Sequence, residues 1–148
     1  MVVPENDPVY RALSDATCRA FHEAETTLPP DIIRALRSAA KRESSEVARI
    51  ELSNILENVA LAERLTLPIC QDTGVPVIYL TVPPDVPFSQ QLFHAVSEGV
   101  RKASREIPLR PNVVSPLERI NYGDNCGPGM PSVHVMPGER LSVTVLPK

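Results

Sequence analysis

A chain of 148 residues with 43% hydrophobic and 22% charged residues carries enough apolar material for one domain with a buried core, and too much for general disorder. Its net charge of −3, with no long basic block, argues against nucleic acid as the main partner. No apolar run nears the roughly 20 residues of a membrane-spanning helix, and the opening MVVPENDPVY lacks the regions of a signal peptide, so a cytoplasmic location is expected.

The first 65 residues read as helical. PVYRALSDATCRAFHEAE (8–25) sets Val9, Leu13, Ala16 and Ala20 on one face, and Pro29 and Pro30 close the segment. PDIIRALRSAAKRE (30–43) repeats Ile32, Ile33, Leu36 and Ala40 at helical steps. Pro30 suits a first-turn position and Asp31 a helix N-terminus. SSEVARIELSNILENVALAERL (44–65) carries a wide apolar stripe of Val47, Ile50, Leu52, Ile55, Leu56 and Val59, with Ser44 or Ser45 as its cap. It is the clearest helix in the chain.

Pro68 ends the helical half. VPVIYLTV (75–82) is β-branched and bounded by Gly74 and Pro83, so it reads as a strand. FSQQLFHAVSEGVRKASRE (88–106) reads as a helix with Leu92, Phe93, Val96 and Val100 inward, and with Arg101, Lys102 and Arg105 toward the negative end of its dipole. Residues 107–139 hold six prolines and four glycines, with short strands expected at 112–114 and 132–136. So long an irregular segment in a compact domain points to function, and its Val, Leu and Ile content argues against disorder. RLSVTVLP (140–147) alternates as a strand. The expected fold is α+β in a single domain over 1–148. It is helical over 1–65 and α/β over 66–148, with a small mixed sheet, a packed helix and a long Pro/Gly-rich segment.

Chemistry concentrates in Cys70, Gln71, Asp72, Thr73 and Gly74, set at a turn between a helix and a strand. A thiolate there can ligate a soft metal or act as a nucleophile. An amide can donate to a carboxylate, a carboxylate can take a proton, and glycine admits a positive φ. The bare pattern equally suits a core cysteine followed by a polar turn. Three cysteines (Cys18, Cys70 and Cys126) form no CxxC pair, so reduced thiols are expected rather than a disulfide frame.

Three blocks add a resemblance. LPICQDTGVPVIYLTV (67–82), PLRPNVVSPLERINYGDN (108–125) and PSVHVMPGERLSVTVLPK (131–148) resemble, in order and separation, segments of class I iron–sulfur fumarate hydratases and of tartrate dehydratase alpha subunits. The resemblance covers about residues 45–148 and implies a hydro-lyase that interconverts fumarate and malate on a 4Fe-4S cluster held by three cysteines. An iron left open there acts as a Lewis acid on the substrate.

By position, Cys70 resembles the first cluster ligand, and Gln71 and Asp72 the substrate-binding pair beside it, Asp72 also serving in proton transfer. Arg110 resembles the arginine that grips a substrate carboxylate. The other two cluster cysteines are expected later in such a polypeptide. The resemblance therefore implies the N-terminal part of an alpha subunit, inactive alone. The implied partners are a dicarboxylate and a beta subunit or C-terminal domain, in a homo- or hetero-oligomer.

The departure from the family pattern is Cys126, which is either structural or a ligand. His134 is either structural or part of the site, and Asp124 and Asn125 are expected to build a turn. Two other readings stand beside the hydro-lyase. One is a zinc site from Cys70, Asp72, Cys126 and His134. The other is a non-catalytic domain that binds a partner subunit.

Overall fold

The computed structural model describes residues 7–70 and 72–148. Three helices come first: α1 (Pro8–Thr26), α2 (Pro30–Arg42) and α3 (Glu46–Leu65). Each starts as its sequence dictates. The Asp7 side chain accepts a hydrogen bond from the Val9 amide at 2.8 Å, Pro30 opens α2, and Ser45 Oγ accepts from the Ala48 amide at 3.4 Å. Strand β1 (Pro76–Val82), helix α4 (Gln90–Glu106) and strands β2 (Ser132–Pro137) and β3 (Ser142–Pro147) follow. The α+β expectation holds. The strand expected at 112–114 does not form, and Val114 contributes only an isolated bridge to Asn121.

The sheet runs β2-β1-β3, with β1 parallel to β2 and antiparallel to β3. Side chains alternate across it. Ile78 and Leu80 are fully buried, and Val133, Val135, Val143 and Val145 join the same core. Tyr79 alternates to the opposite face, where its ring stacks on His134 with centroids 5.0 Å apart.

Helices α1 and α4 cover the core face. From α4, Leu92, Val96 and Val100 are buried as expected, while Phe93 is half-buried and meets Phe88 edge-on. On α1 the expected face is rotated. Val9 is exposed, and the buried positions are Leu13, Ser14, Thr17, Cys18, Phe21, Glu25 and Thr26. The cause is the approach at Gly99 of α4. A Cβ placed there would lie 2.5 Å from the Ser14 carbonyl oxygen and 2.6 Å from Thr17 Cβ. Contact that close selects small side chains over the larger apolar ones.

Glu25 is an outlier in this core. It is 6% exposed, its Oε1 has no hydrogen-bond partner, and burial raises its carboxyl pKa to about 7. A carboxyl easier to protonate in the folded state gives stability that is full below the unfolded value near 4.5 and is lost as pH rises toward 7. Glu25→Gln should therefore raise stability at pH 8, by on the order of 1–3 kcal/mol, and leave it nearly unchanged at pH 4. Urea unfolding at the two pH values checks this.

Helices α2 and α3 pack on each other beside this body. α2 buries no residue, and α3 buries only Val59 and Ala62. The expected stripe of α3 is thus split. Leu52 and Leu56 turn inward, while Val47, Ile50 and Ile55 remain exposed.

Candidate active site

The chain leaves α3 through Thr66 in left-handed conformation and doubles back. The Ile69 amide donates to the Glu25 carbonyl at 2.9 Å, and Asn58 Nδ2 donates to the Ile69 carbonyl at 2.6 Å. These two bonds hold the residue before Cys70. Cys70 itself is exposed, and its thiol donates to the Asp72 carbonyl at 3.2 Å. Asp72 is exposed as well. Gln71, expected to bind substrate, lies outside the described residues.

Beyond Asp72 the chain turns inward. Thr73 is 2% exposed, and its hydroxyl donates to the Arg110 carbonyl at 3.2 Å while accepting from the Arg110 amide at 3.1 Å. Asn112 Nδ2 donates to the Gly74 carbonyl at 2.9 Å. The Asn112 amide in turn donates to Oδ1 of Asn125 at 2.9 Å, and Nδ2 of Asn125 donates to Ser104 Oγ at 3.2 Å. Gly74 has φ +68, and a Cβ there would sit 2.6 Å from the Lys148 amide nitrogen. Only glycine fits that bend against the end of β3.

These bonds bring together two loops far apart in sequence. One carries Cys70 and Asp72, the other Arg110, which is exposed. The link is made through the backbone carbonyl and amide of Arg110. The residues that build the link, Thr73, Asn112 and Asn125, were not singled out for that role by the sequence. One signal was present: polar amides within a Pro-rich segment, where backbone groups lack ladder partners.

Cys126 is structural. It is 3% exposed, its thiol donates to the Ser97 carbonyl at 3.4 Å, and burial pushes its pKa up to about 11. A thiol so disfavoured as thiolate is a poor metal ligand. Cys18 behaves alike, raised to about 11 by burial and by its hydrogen bond to Glu106. Asp124 builds the expected turn, accepting from the Cys126 amide at 3.0 Å, and also accepts from Arg101 Nε at 3.1 Å. His134 lies on the open face of the sheet against Tyr79. The zinc reading fails on this geometry. Cys126 is buried against α4 and His134 is on β2, and no three His, Cys, Asp or Glu side chains among the described residues are grouped to hold a metal.

Residues 14–148 match the family model of fumarate hydratase (Fumerase). The chain belongs to this family. Among curated relatives, "Putative L(+)-tartrate dehydratase subunit alpha" of Methanocaldococcus jannaschii is 41% identical over 131 residues, 87% of this chain and 46% of that protein. "Putative fumarate hydratase class I" of Geobacillus stearothermophilus is 39% identical over 113 residues, 75% of this chain and 22% of that protein. L(+)-tartrate dehydratase subunit alpha of Escherichia coli (strain K12) is 31% identical over 108 residues, 73% of this chain and 36% of that protein. The chain therefore spans less than half the length of these fumarate hydratase family relatives. The family resemblance carried by the blocks at 67–82, 108–125 and 131–148 is borne out.

Within the family, an iron–sulfur cluster is the implied cofactor, and the donor set tests it. Cys70 fits one ligand, being exposed and directly following Ile69, whose backbone is held by two hydrogen bonds. Cys18 and Cys126 do not fit, being buried with raised pKa values. This chain offers a single fitting thiol, not a whole cluster site.

Proposed function

We propose that this chain is the part of an iron–sulfur hydro-lyase that supplies one cluster ligand and part of the dicarboxylate grip, in the reversible hydration of fumarate to malate. The observation that carries the reading is the double hydrogen bond between Thr73 and Arg110. It fixes the loop of Cys70 and Asp72 against that of Arg110. A thiol, a carboxylate and a guanidinium exposed on joined loops are the groups such a reaction asks for. Family membership supports it.

Each residue then has a task. Cys70, as thiolate, holds one iron of a 4Fe-4S cluster, which when bound supplies an open iron as Lewis acid. Arg110 presents a planar fork of donors matched to a substrate carboxylate. Gln71 donates its amide to the same substrate, and Asp72 holds or moves a proton beside the hydroxyl. The chain does not act alone in this reading. The later part of the alpha polypeptide supplies the remaining cluster cysteines, a beta subunit or C-terminal domain closes the pocket, and the isolated chain is inactive. The enzyme works in the cytoplasm, where reduced thiols persist.

A second reading, L(+)-tartrate dehydration as an alpha subunit, is favoured by the names of two of the relatives above. Both readings keep the same residue roles. They are tested on the complete enzyme, reconstituted anaerobically with iron and sulfide. Malate formed from fumarate with little oxaloacetate from tartrate supports the first, and the reverse preference supports the second. Neither activity, with a full cluster and a folded protein, refutes both and favours a subunit-binding domain without catalysis.

A further inference from the structure

Residues 124–126 belong to the long irregular segment, yet three consecutive side chains there dock on α4. Asp124 accepts from Arg101 Nε at 3.1 Å, Nδ2 of Asn125 donates to Ser104 Oγ at 3.2 Å, and the Cys126 thiol donates to the Ser97 carbonyl at 3.4 Å. Positions 97, 101 and 104 follow one another at steps of 4 and 3, so the three contacts fall along one stripe of the helix.

Asn125 does more than its two neighbours. Its backbone takes φ 56°, a left-handed conformation that asparagine tolerates better than most residues. Its side chain is 2% exposed. An asparagine that only builds a turn bonds to backbone within a few residues. Here the amide bonds run 21 positions back to Ser104 and 13 positions back to the Asn112 amide. A buried amide satisfied at both ends in this way is a strut between α4 and the loop of Asn112.

The strut ends beside the substrate grip. Asn112 stands two residues after Arg110, and its own Nδ2 donates to the Gly74 carbonyl at 2.9 Å and to Thr73 Oγ1 at 3.4 Å. Cys70 has other moorings. Ile69, just before it, is held by the Glu25 carbonyl of α1 and by Asn58 of α3. The two halves of the candidate site are thus tied to different helices.

We propose that Asn125 is a positioning residue for dicarboxylate binding, which holds the Arg110 loop on α4 through the Asn112 amide. The inference rests on the role given to Arg110 above. In that role the guanidinium holds a carboxylate in substrate and transition state alike, and loss of such uniform binding raises KM with kcat little changed.

The test uses the complete enzyme, reconstituted anaerobically with iron and sulfide, and whichever of fumarate and tartrate it turns over. Asn125→Gly keeps the left-handed backbone and removes the strut. It should raise KM about tenfold, keep kcat within about threefold and leave the visible absorption of the cluster unchanged. Asn125→Asp presents one oxygen to the Asn112 amide and one to a turned Ser104 hydroxyl, so it should bring KM back to within about threefold of the unsubstituted enzyme. In an Arg110→Ala background, Asn125→Gly should add less than about twofold to KM, whereas independent effects would multiply. Should Asn125→Gly not fold, Ser104→Ala loosens the strut from its far end, and a rise in KM of about threefold is expected of it. An unchanged KM, a loss that goes with the cluster, no rescue by Asn125→Asp, or effects that multiply with Arg110→Ala each overturn the proposal and leave the proposed function standing. An unsubstituted enzyme that turns over neither dicarboxylate refutes that function and this inference together.

Discussion

Cys70→Ser in the complete, reconstituted enzyme should reduce hydro-lyase turnover by at least about 100-fold and remove most of the cluster's visible absorption. Replacing a partner that merely orients a metal ligand already costs roughly 10- to 100-fold, and loss of the ligand itself costs more. The substitution should leave the fold intact. Cys70 is exposed, and its one recorded hydrogen bond, to the Asp72 carbonyl, is open to a serine hydroxyl. Equal thermal midpoints for the two proteins in their cluster-free forms would therefore place the loss at the cluster. Cys126→Ala is the matched control. That thiol is buried and points at the Ser97 carbonyl, so its removal should cost some stability and leave the absorption unchanged. If the cluster survives Cys70→Ser, or is lost with Cys126→Ala, the ligand assignment is wrong.

Gly99→Val should strongly destabilise the fold. The Cβ would fall 2.5 Å from the Ser14 carbonyl oxygen and 2.6 Å from Thr17 Cβ, so backbone as well as side chain must move. Overpacking in a filled core costs roughly 1–3 kcal/mol, and valine adds two methyls to that clash. Gly99→Ala is the more informative variant. Alanine gains about 1 kcal/mol in helix propensity over glycine, so the sign of the net change weighs the clash between α1 and α4 directly. A net loss is expected because the nearest atom is a backbone oxygen, which cannot swing aside. Urea unfolding of both variants measures it, and a stabilised Gly99→Ala would mean that the two helices separate easily.

The same contact explains part of what the sequence left unread. Hydrophobic periodicity located four helices and three strands, because proline, glycine and capping residues mark their ends. It misjudged the buried face of α1, because Ser14 and Thr17 are inside for their small size and not for their polarity. It also assumed that an apolar stripe points inward, which α3 divides between two directions. In the candidate site, Cys70, Asp72 and Arg110 were legible as chemistry. Their convergence was not, since it depends on Thr73, Asn112 and Asn125 bonding across the 37 positions that separate Thr73 from Arg110 and the 13 between Asn112 and Asn125. No local pattern encodes pairings over such distances.

The strand order β2-β1-β3 has a consequence for synthesis of the protein. Strand β1 occupies the middle of the sheet, yet both its neighbours lie beyond residue 131. Helix α1 likewise leans on α4 and β3, made much later. A nascent chain emerging from the ribosome therefore exposes Ile78 and Leu80 until residues 132–147 arrive to flank them. Closure waits on those later segments, a high-contact-order arrangement that folds slowly and leaves sticky surface open to chaperones in the interval.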